Sequence, residues 1–262
     1  MKISRHEFAG EGELYLAGGA PGGRPVVLVI PMLGRLAVLP DLAVERGIAR
    51  FFARRGFAAV VLSRPFFEWD ARAGLDQIDR YLAGMVDRAG RMVERLSGLE
   101  GVDAGRVGTI GVSFGAVVAA LLAQSPRFAA HVVALGGANL GKVLATSRDP
   151  LVRSYFRQLL AATGLSKEAL VARLKEVFAH DPLHLKCAIS RERLLTVRAA
   201  FDRVVRPCYG KALWAALGRP RELVLPLGHY TALLALPLIL RTAARFLGTA
   251  LLQDGSVHRP VL

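Results

Sequence analysis

The sequence predicts an α/β protein whose mostly parallel sheet is covered by helices on both faces. Three observations carry that prediction. Short runs such as PVVLVI and FAAVVL are apolar at every position, as in strands buried on both sides. Between such runs lie segments whose apolar residues recur every three or four positions, the mark of amphipathic helices. The two kinds of segment alternate along most of the chain, which is the pattern of repeated βαβ crossovers.

GRPVVLVIPML, Gly23 to Leu33, is the first buried strand, bounded by glycine and proline. DLAVERGIARFFARRG then places Leu42, Ile48, Phe51 and Phe52 at helical spacing and stops at Gly56, a C-capping residue type. FAAVVL, Phe57 to Leu62, is the second strand, parallel to the first because a helix joins them. A long helix from Leu75 to Leu96 carries Ile78, Leu82, Met85, Ala89 and Val93 on one stripe. RVGTIGV follows Asp103 as a strand, and an apolar helix leaves directly from Ser113 toward Gln124. HVVALGG, His131 to Gly137, is another strand.

There the alternation breaks. Residues 140–188 hold helical segments, DPLVRSYFRQLLAA and SKEALVARLKEVFA among them, and no strand pattern. The expectation is a small helical cap, 140–188, inserted above the carboxyl edge of a core formed by 1–139 and 189–262. Alternation resumes with RLLTVRAAF, the helix YGKALWAALG, the strand RELVLPL and a closing helix from about Leu233 to Leu247. QDGSVHRPVL reads as a loose tail.

Composition narrows the function classes. Across 262 residues, 53% are hydrophobic and 21% charged, which supplies a large core and argues against disorder. Mean hydropathy is +0.37, so a membrane span must be considered. The longest apolar stretch, Tyr230 to Leu240, contains Pro237 and stops at Arg241, short of the ~18 residues a span needs. MKISRHEFAGEGELYL has no apolar run after its early basic residues, so no secretory signal is read and a cytoplasmic location is expected. The net charge of +14 raises the question of nucleic acid. All but six of the 35 basic residues are arginine, scattered singly or in pairs such as Arg54-Arg55 rather than in runs of ~5–8. The expectation is therefore no nucleic-acid partner, with an electrostatic preference for anionic substrates or surfaces left open. Cys187 and Cys208 lack metal-ligand spacing and are read as reduced thiols.

One serine interrupts the run RVGTIGVSFGAVVAALL. Gly111-Val112-Ser113-Phe114-Gly115 matches G-x-S-x-G, a pattern that a glycine-rich chain shows by chance with probability roughly 0.1. Context adds what the pattern lacks: a strand runs in and a helix runs out. A sharp turn there pushes the serine into strained backbone angles, and flanking glycines let strand and helix approach. Its hydroxyl then sits at the amino end of a helix, where developing negative charge is favoured. A serine needs a base. His229, after LVLPL and Gly228, falls on a loop at the same sheet edge. His131 begins a strand at the opposite edge, His6 and His258 lie near the ends, and His180 and His184 belong to the helical block as surface or capping residues. A carboxylate must then hold the imidazole. Asp202 follows LLTVRAAF, about 27 residues before His229, and its plainer role would be a turn residue paired with Arg203. Asp181 is the reserve acid, although Pro182 beside it marks an element boundary.

With IGVSFGA, LLTVRAAFDRVVRP and VLPLGHY in this order, the chain resembles the α/β-hydrolase superfamily from about Arg24 to Leu247. Within it the sequence looks like bacterial carboxylesterase-like and dienelactone-hydrolase-like serine hydrolases. The resemblance implies the α/β-hydrolase fold with an eight-stranded, mostly parallel sheet, and a Ser113–Asp202–His229 triad. It also implies an oxyanion hole made by the backbone N–H of Phe114 and a second N–H from the loop after VVLVI. Leu33 is the best positional match for that second donor, with Met32 next. Many relatives carry His-Gly where this chain has Pro31-Met32, and glycine before the acid where it has Ala199-Ala200-Phe201.

The expected chemistry is two-step acyl transfer on a small-molecule ester or acyl substrate, with no metal and no organic cofactor. A peptidase or acyltransferase would use the same triad, and a non-catalytic binding protein could share the fold. In the helical block, Phe156, Leu159, Leu160 and Phe178 read as cap core more than as substrate contacts. Phe66, Phe67 and Trp69, in RPFFEWD, are placed to wall an acyl pocket or to pack beneath the cap, and Arg35 to meet a substrate carboxylate.

Overall fold

The computed structural model describes residues 3–18, 22–33, 42–185 and 189–252. Arg35, Cys187, His258 and the expected tail lie outside the described residues. Eight strands form one sheet: β1 (Ile3–Phe8), β2 (Gly12–Ala17), β3 (Arg24–Ile30), β4 (Ala58–Leu62), β5 (Val102–Val112), β6 (Ala130–Ala134), β7 (Leu194–Ala199) and β8 (Arg221–Leu225). Their order across the sheet is β1-β2-β4-β3-β5-β6-β7-β8. The β1–β2 and β2–β4 pairs are antiparallel and all others parallel.

The apolar strands are apolar throughout because both faces are covered. On β3, Val26, Leu28 and Ile30 join the core against α2 (Gln77–Leu96) and α3 (Phe114–Leu122). Val27 and Val29, on the opposite pleat, join the core against α1 (Ala43–Ala53) and α8 (Leu236–Leu252). Alternation of side-chain direction along the strand thus feeds two cores at once. The five residues predicted as the stripe of α2 are all buried. Gly56 takes φ +87 just beyond α1, consistent with its stop role.

The amino-terminal hairpin is not announced by any apolar run. β1 is mostly exposed, and β2 carries a buried glutamate. Glu13 is accommodated because Arg5, Tyr15 and Arg46 contact its carboxylate at 2.8, 2.5 and 2.7 Å. Burial acts to raise its pKa, but the hydrogen bonds from Arg46 and Tyr15 outweigh that and hold the carboxyl down at about 2. The network fastens β1, β2 and α1 together.

The closing helix is longer than its sequence pattern suggests. A 3-10 turn at Thr231–Ala235 runs straight into α8. By length and composition, Thr231–Leu251 could cross a membrane. One stripe of it, Ile239, Leu240, Ala243, Leu247 and Leu251, is buried in the protein's own core, while Leu234 and Leu238 are exposed.

Between β6 and β7 the chain forms α4 (Leu140–Thr146), α5 (Pro150–Thr163) and α6 (Lys167–Val177), and α7 (Pro207–Ala216) lies between β7 and β8. Side chains set their boundaries. Asp149 accepts from Leu151 and Val152 N–H at 2.9 and 3.0 Å to start α5, Gly164 ends it at φ +65, and Ser166 accepts from Ala169 N–H to start α6. Asp181, the reserve acid, is a structural tie instead. It accepts from Asn139, Leu140 and Leu183 N–H at 2.9, 2.5 and 3.0 Å, pinning the end of the block to its beginning. His180 binds Asp79 of α2 through its N–H and its ring, at 2.7 and 3.0 Å.

His131 sits at the amino end of β6, fully buried, with Nδ1 3.0 Å from the Thr109 hydroxyl. Burial, assisted by the nearby Arg193 charge, pushes its pKa down to about 3. The folded state therefore holds this ring neutral, while the unfolded chain protonates it near its ordinary value of about 6.5. Its stabilising contribution is complete above that pH and declines as pH falls toward 3. Denaturant titrations of wild type and His131→Leu between pH 7 and 4 are expected to diverge in slope. Wild type should lose up to about 1.4 kcal/mol per pH unit more than the variant below pH ~6.5.

Candidate active site

Ser113 lies between β5 and α3 with φ +56 and ψ −117, a backbone conformation that residues with a Cβ rarely adopt. The strain is imposed by close packing on either side. A Cβ on Gly111 would lie 2.0 Å from the Gly115 carbonyl oxygen, and one on Gly115 would lie 2.5 Å from that of Ile30. The start of α3 can touch the ends of β5 and β3 only because both positions lack side chains. Ser113 N–H donates to the Ala134 carbonyl of β6 at 2.8 Å, which fixes the turn from the other side. The hydroxyl is thereby lifted above the carboxyl edge of the sheet.

Two neighbouring loops bring the other groups to it. After β7, Ala200 N–H donates to Leu225 carbonyl and Phe201 N–H to Leu227 carbonyl, at 2.8 and 2.9 Å. These bonds tie the loop carrying Asp202 to the loop carrying His229. Asp202 is 5% exposed, and its Oδ1 accepts from Val204 and Val205 N–H, both at 2.8 Å. Its Oδ2 is 2.7 Å from His229 Nδ1, and His229 Nε2 is 3.0 Å from Ser113 Oγ. A carboxylate beside Nδ1 holds the proton there, so Nε2 of the neutral ring is the acceptor facing the hydroxyl. The plainer role of Asp202, a surface partner for Arg203, does not fit a side chain this buried.

Phe114 N–H opens α3, where the first backbone donors have no intrahelical partner. Beside it the loop after β3 is held at two points. Met32 N–H donates to Glu45 Oε1 at 3.1 Å, and Arg64 Nη1 donates to the Met32 carbonyl at 2.9 Å. Met32 N–H is thus directed at a carboxylate on α1. Of the two second donors expected from the sequence, Met32 is the one whose N–H is taken up by Glu45. Glu45 is 4% exposed, and burial raises its pKa against the opposing effect of its backbone hydrogen bonds.

A cavity of about 320 Å³ opens over Ser113 and is bounded by Met32, Leu33, Phe114 and His229. Helices α4 and α5 supply part of its wall through Leu140, Val143, Leu144, Leu151 and Val152. Phe156, Leu159 and Phe178 are buried in the core cluster shared with α2 and α3, Leu160 is partly buried against it, and none of the four lines this cavity. Trp69 reaches the cavity, while Phe67 packs edge-on against Trp69, Tyr81 and Tyr155. Phe66 does neither: it is 89% exposed, because the chain after β4 turns its ring to solvent.

Sequence reasoning overlooks Glu45, Arg64 and the Asp149–Tyr230 contact that joins the start of α5 to the histidine loop. Glu45 offers only the weak signal of an acid in a first helical turn, and Arg64 is one arginine among many. The packing at the serine turn makes a direct expectation. Gly111→Ala should destabilise the fold by about 3 kcal/mol. Gly84→Ala, on α2 with nothing within 4 Å of its would-be Cβ, should be neutral or stabilise by up to ~1 kcal/mol. Denaturation midpoints of the two variants measure the contrast.

No protein-family model and no curated protein matches the sequence. Solved structures do match the whole fold. An acetyl xylan esterase from Paenibacillus sp. R4 is 17% identical at a TM-score of 0.64, covering 95% of this chain and 88% of that one. An esterase from Pyrococcus furiosus is 13% identical at a TM-score of 0.61, covering 95% and 93%. A hydrolase from Pseudomonas aeruginosa is 16% identical at a TM-score of 0.54, covering 94% and 98%. Identities this low speak for architecture alone, and together with the strand order they establish that this chain has the α/β-hydrolase fold.

Proposed function

We propose that this protein is a carboxylesterase-like serine hydrolase that cleaves a small-molecule ester through an acyl-enzyme intermediate. The observation that carries the reading is the continuous chain from Asp202 through His229 to a strained Ser113, at 2.7 and 3.0 Å. Ser113 is the nucleophile, His229 the general base and acid, and Asp202 the group that orients the ring. As the Ser113 oxygen bonds to the ester carbonyl carbon, its proton passes to His229 Nε2, and the carbonyl electron pair moves onto oxygen. Phe114 and Leu33 N–H groups receive that oxyanion. Its collapse expels the alkoxide, which takes the proton from His229 and departs as the alcohol. Water then attacks the acyl-enzyme by the same route, with His229 again taking and returning the proton, and releases the acid.

The cavity supports an uncharged, largely apolar substrate. Among the described residues, its lining holds no lysine or arginine despite the net charge of +14, and one carboxylate, Asp149, which contacts Tyr230. Among these described lining residues, an anionic acyl group would find no cation to pair with when desolvated. Helices α4 and α5 act in this reading as the cap of the cavity, within an inserted segment at 140–188. The names of the neighbouring esterases agree with ester chemistry, although they describe those proteins.

A series of aryl esters with lengthening neutral acyl chains, run against ω-carboxylated counterparts, tests both halves of the proposal. Neutral esters should be turned over and carboxylated ones disfavoured by at least about 10-fold. Ser113→Ala should lower kcat by 10³-fold or more and abolish labelling by a fluorophosphonate, and Asp202→Asn should lower kcat by about 10⁴-fold. Folded Ser113→Ala with wild-type turnover would remove the nucleophile assignment.

A further inference from the structure

Pro31, Met32 and Leu33 leave β3 as two successive peptide units, and each is held in a defined orientation. In a trans peptide unit the carbonyl and the N–H point in opposite directions. In the Pro31–Met32 unit, the N–H faces Glu45 of α1 at 3.1 Å. The carbonyl of that unit faces the start of α3, where a Cβ on Gly115 would lie 2.9 Å from it. In the Met32–Leu33 unit, the carbonyl accepts from the Arg64 guanidinium at 2.9 Å. Its other end, Leu33 N–H, must therefore face away from Arg64. Met32 and Leu33 both border the cavity that contains Ser113 and Phe114.

We infer that Arg64 and Glu45 are positioning residues for the oxyanion hole, gripping the two peptide units so that Leu33 N–H is aimed at the developing oxyanion. Glu45 sets the first unit from the α1 side, and Arg64 sets the second from the end of β4. Arg64 acts twice on the same amide. It fixes the plane, and by donating a charge-assisted hydrogen bond to the carbonyl it polarises the N–H at the other end. A donor held this way needs no reorganisation when the carbonyl oxygen gains charge, which is the condition for selective stabilisation of the transition state. Neither side chain is assigned contact with substrate; both act through the backbone of the loop. Proline at 31 supplies no N–H and stiffens the entry, so the orientation of the Met32 and Leu33 amides falls to these two grips.

The inference rests on the ester-hydrolysis reading of Ser113, and the test separates the two. With a p-nitrophenyl ester, Arg64→Met should lower kcat by about 10- to 100-fold with KM changed less than about 2-fold. Affinity for a trifluoromethyl ketone, whose hemiketal adduct with Ser113 carries an oxyanion, should fall in the same proportion as kcat/KM. Arg64→Lys, which keeps a cationic donor, should recover part of the loss. Glu45→Leu should behave like Arg64→Met, and Glu45→Gln, which keeps an acceptor for Met32 N–H, should recover part of that loss. Should Arg64→Met not fold, Arg64→Leu carries the same comparison, with circular dichroism and thermal unfolding as the check on structure. A folded Arg64 variant with wild-type kcat and ketone affinity overturns the inference, as does a rise in KM with kcat intact. If Ser113→Ala is inactive in that same experiment, the ester-hydrolysis reading survives. If Ser113→Ala is fully active, that reading fails first.

Discussion

The site depends on one steric constraint, the near contact between the first turn of α3 and the carboxyl ends of β3 and β5. Gly111 and Gly115 lie so close to neighbouring backbone that neither tolerates a methyl group. That closeness forces Ser113 to φ +56 and aims the opening N–H groups of α3 at the space above the sheet. Backbone strain of this kind costs of order 1–3 kcal/mol and persists only where surrounding packing determines it. Here the packing is an almost wholly buried sheet centre with α2 and α3 on one face and α1 and α8 on the other.

Given a fixed serine, the remaining geometry comes from parallel strands. Every parallel strand delivers its following loop to the same edge, so β3, β5, β7 and β8 bring Leu33, Ser113, Asp202 and His229 together. Hydrogen bonds between the loops after β7 and β8 then align the carboxylate with the imidazole. The buried carboxyl of Asp202 has its oxygens satisfied by two backbone N–H bonds and the His229 ring. The helical block completes the enclosure, tied at its ends by Asp181 and to α2 through His180 and Asp79.

The molecule's positive charge and its cavity have separate consequences. Arginines populate the outside of the helices and strand ends, pairing locally with acids such as Glu11, Glu94 and Glu222. Among the described residues the cavity wall is mostly aliphatic and aromatic, with Ser113, Ser147, Asp149, His229 and Tyr230 as its polar groups. In the proposed reading a substrate meets that lining rather than the outer charge, because recognition is governed by the groups a bound substrate desolvates.

Much of this was determined by the sequence alone. Strands buried on both faces must be apolar at every position, helices covering them must repeat their apolar residues, and a turn without room for a Cβ must contain glycine. Those requirements act on contiguous residues, so PVVLVI, the stripe of α2 and GVSFG are legible by inspection. That Ser113, Asp202 and His229 would meet at one edge was legible too, because parallel topology assigns each loop to one edge. Only the tertiary structure decided between alternatives with similar local sequence. It chose Asp202 over Asp181 as the partner of His229, directed Met32 N–H to Glu45, and turned Phe66 outward. It also folded an amino-terminal hairpin around Glu13 with no apolar run to predict it. The physical reason is the same in each case. These outcomes turn on which charged or polar groups meet after the chain has closed loops of tens of residues, and no local pattern encodes that meeting.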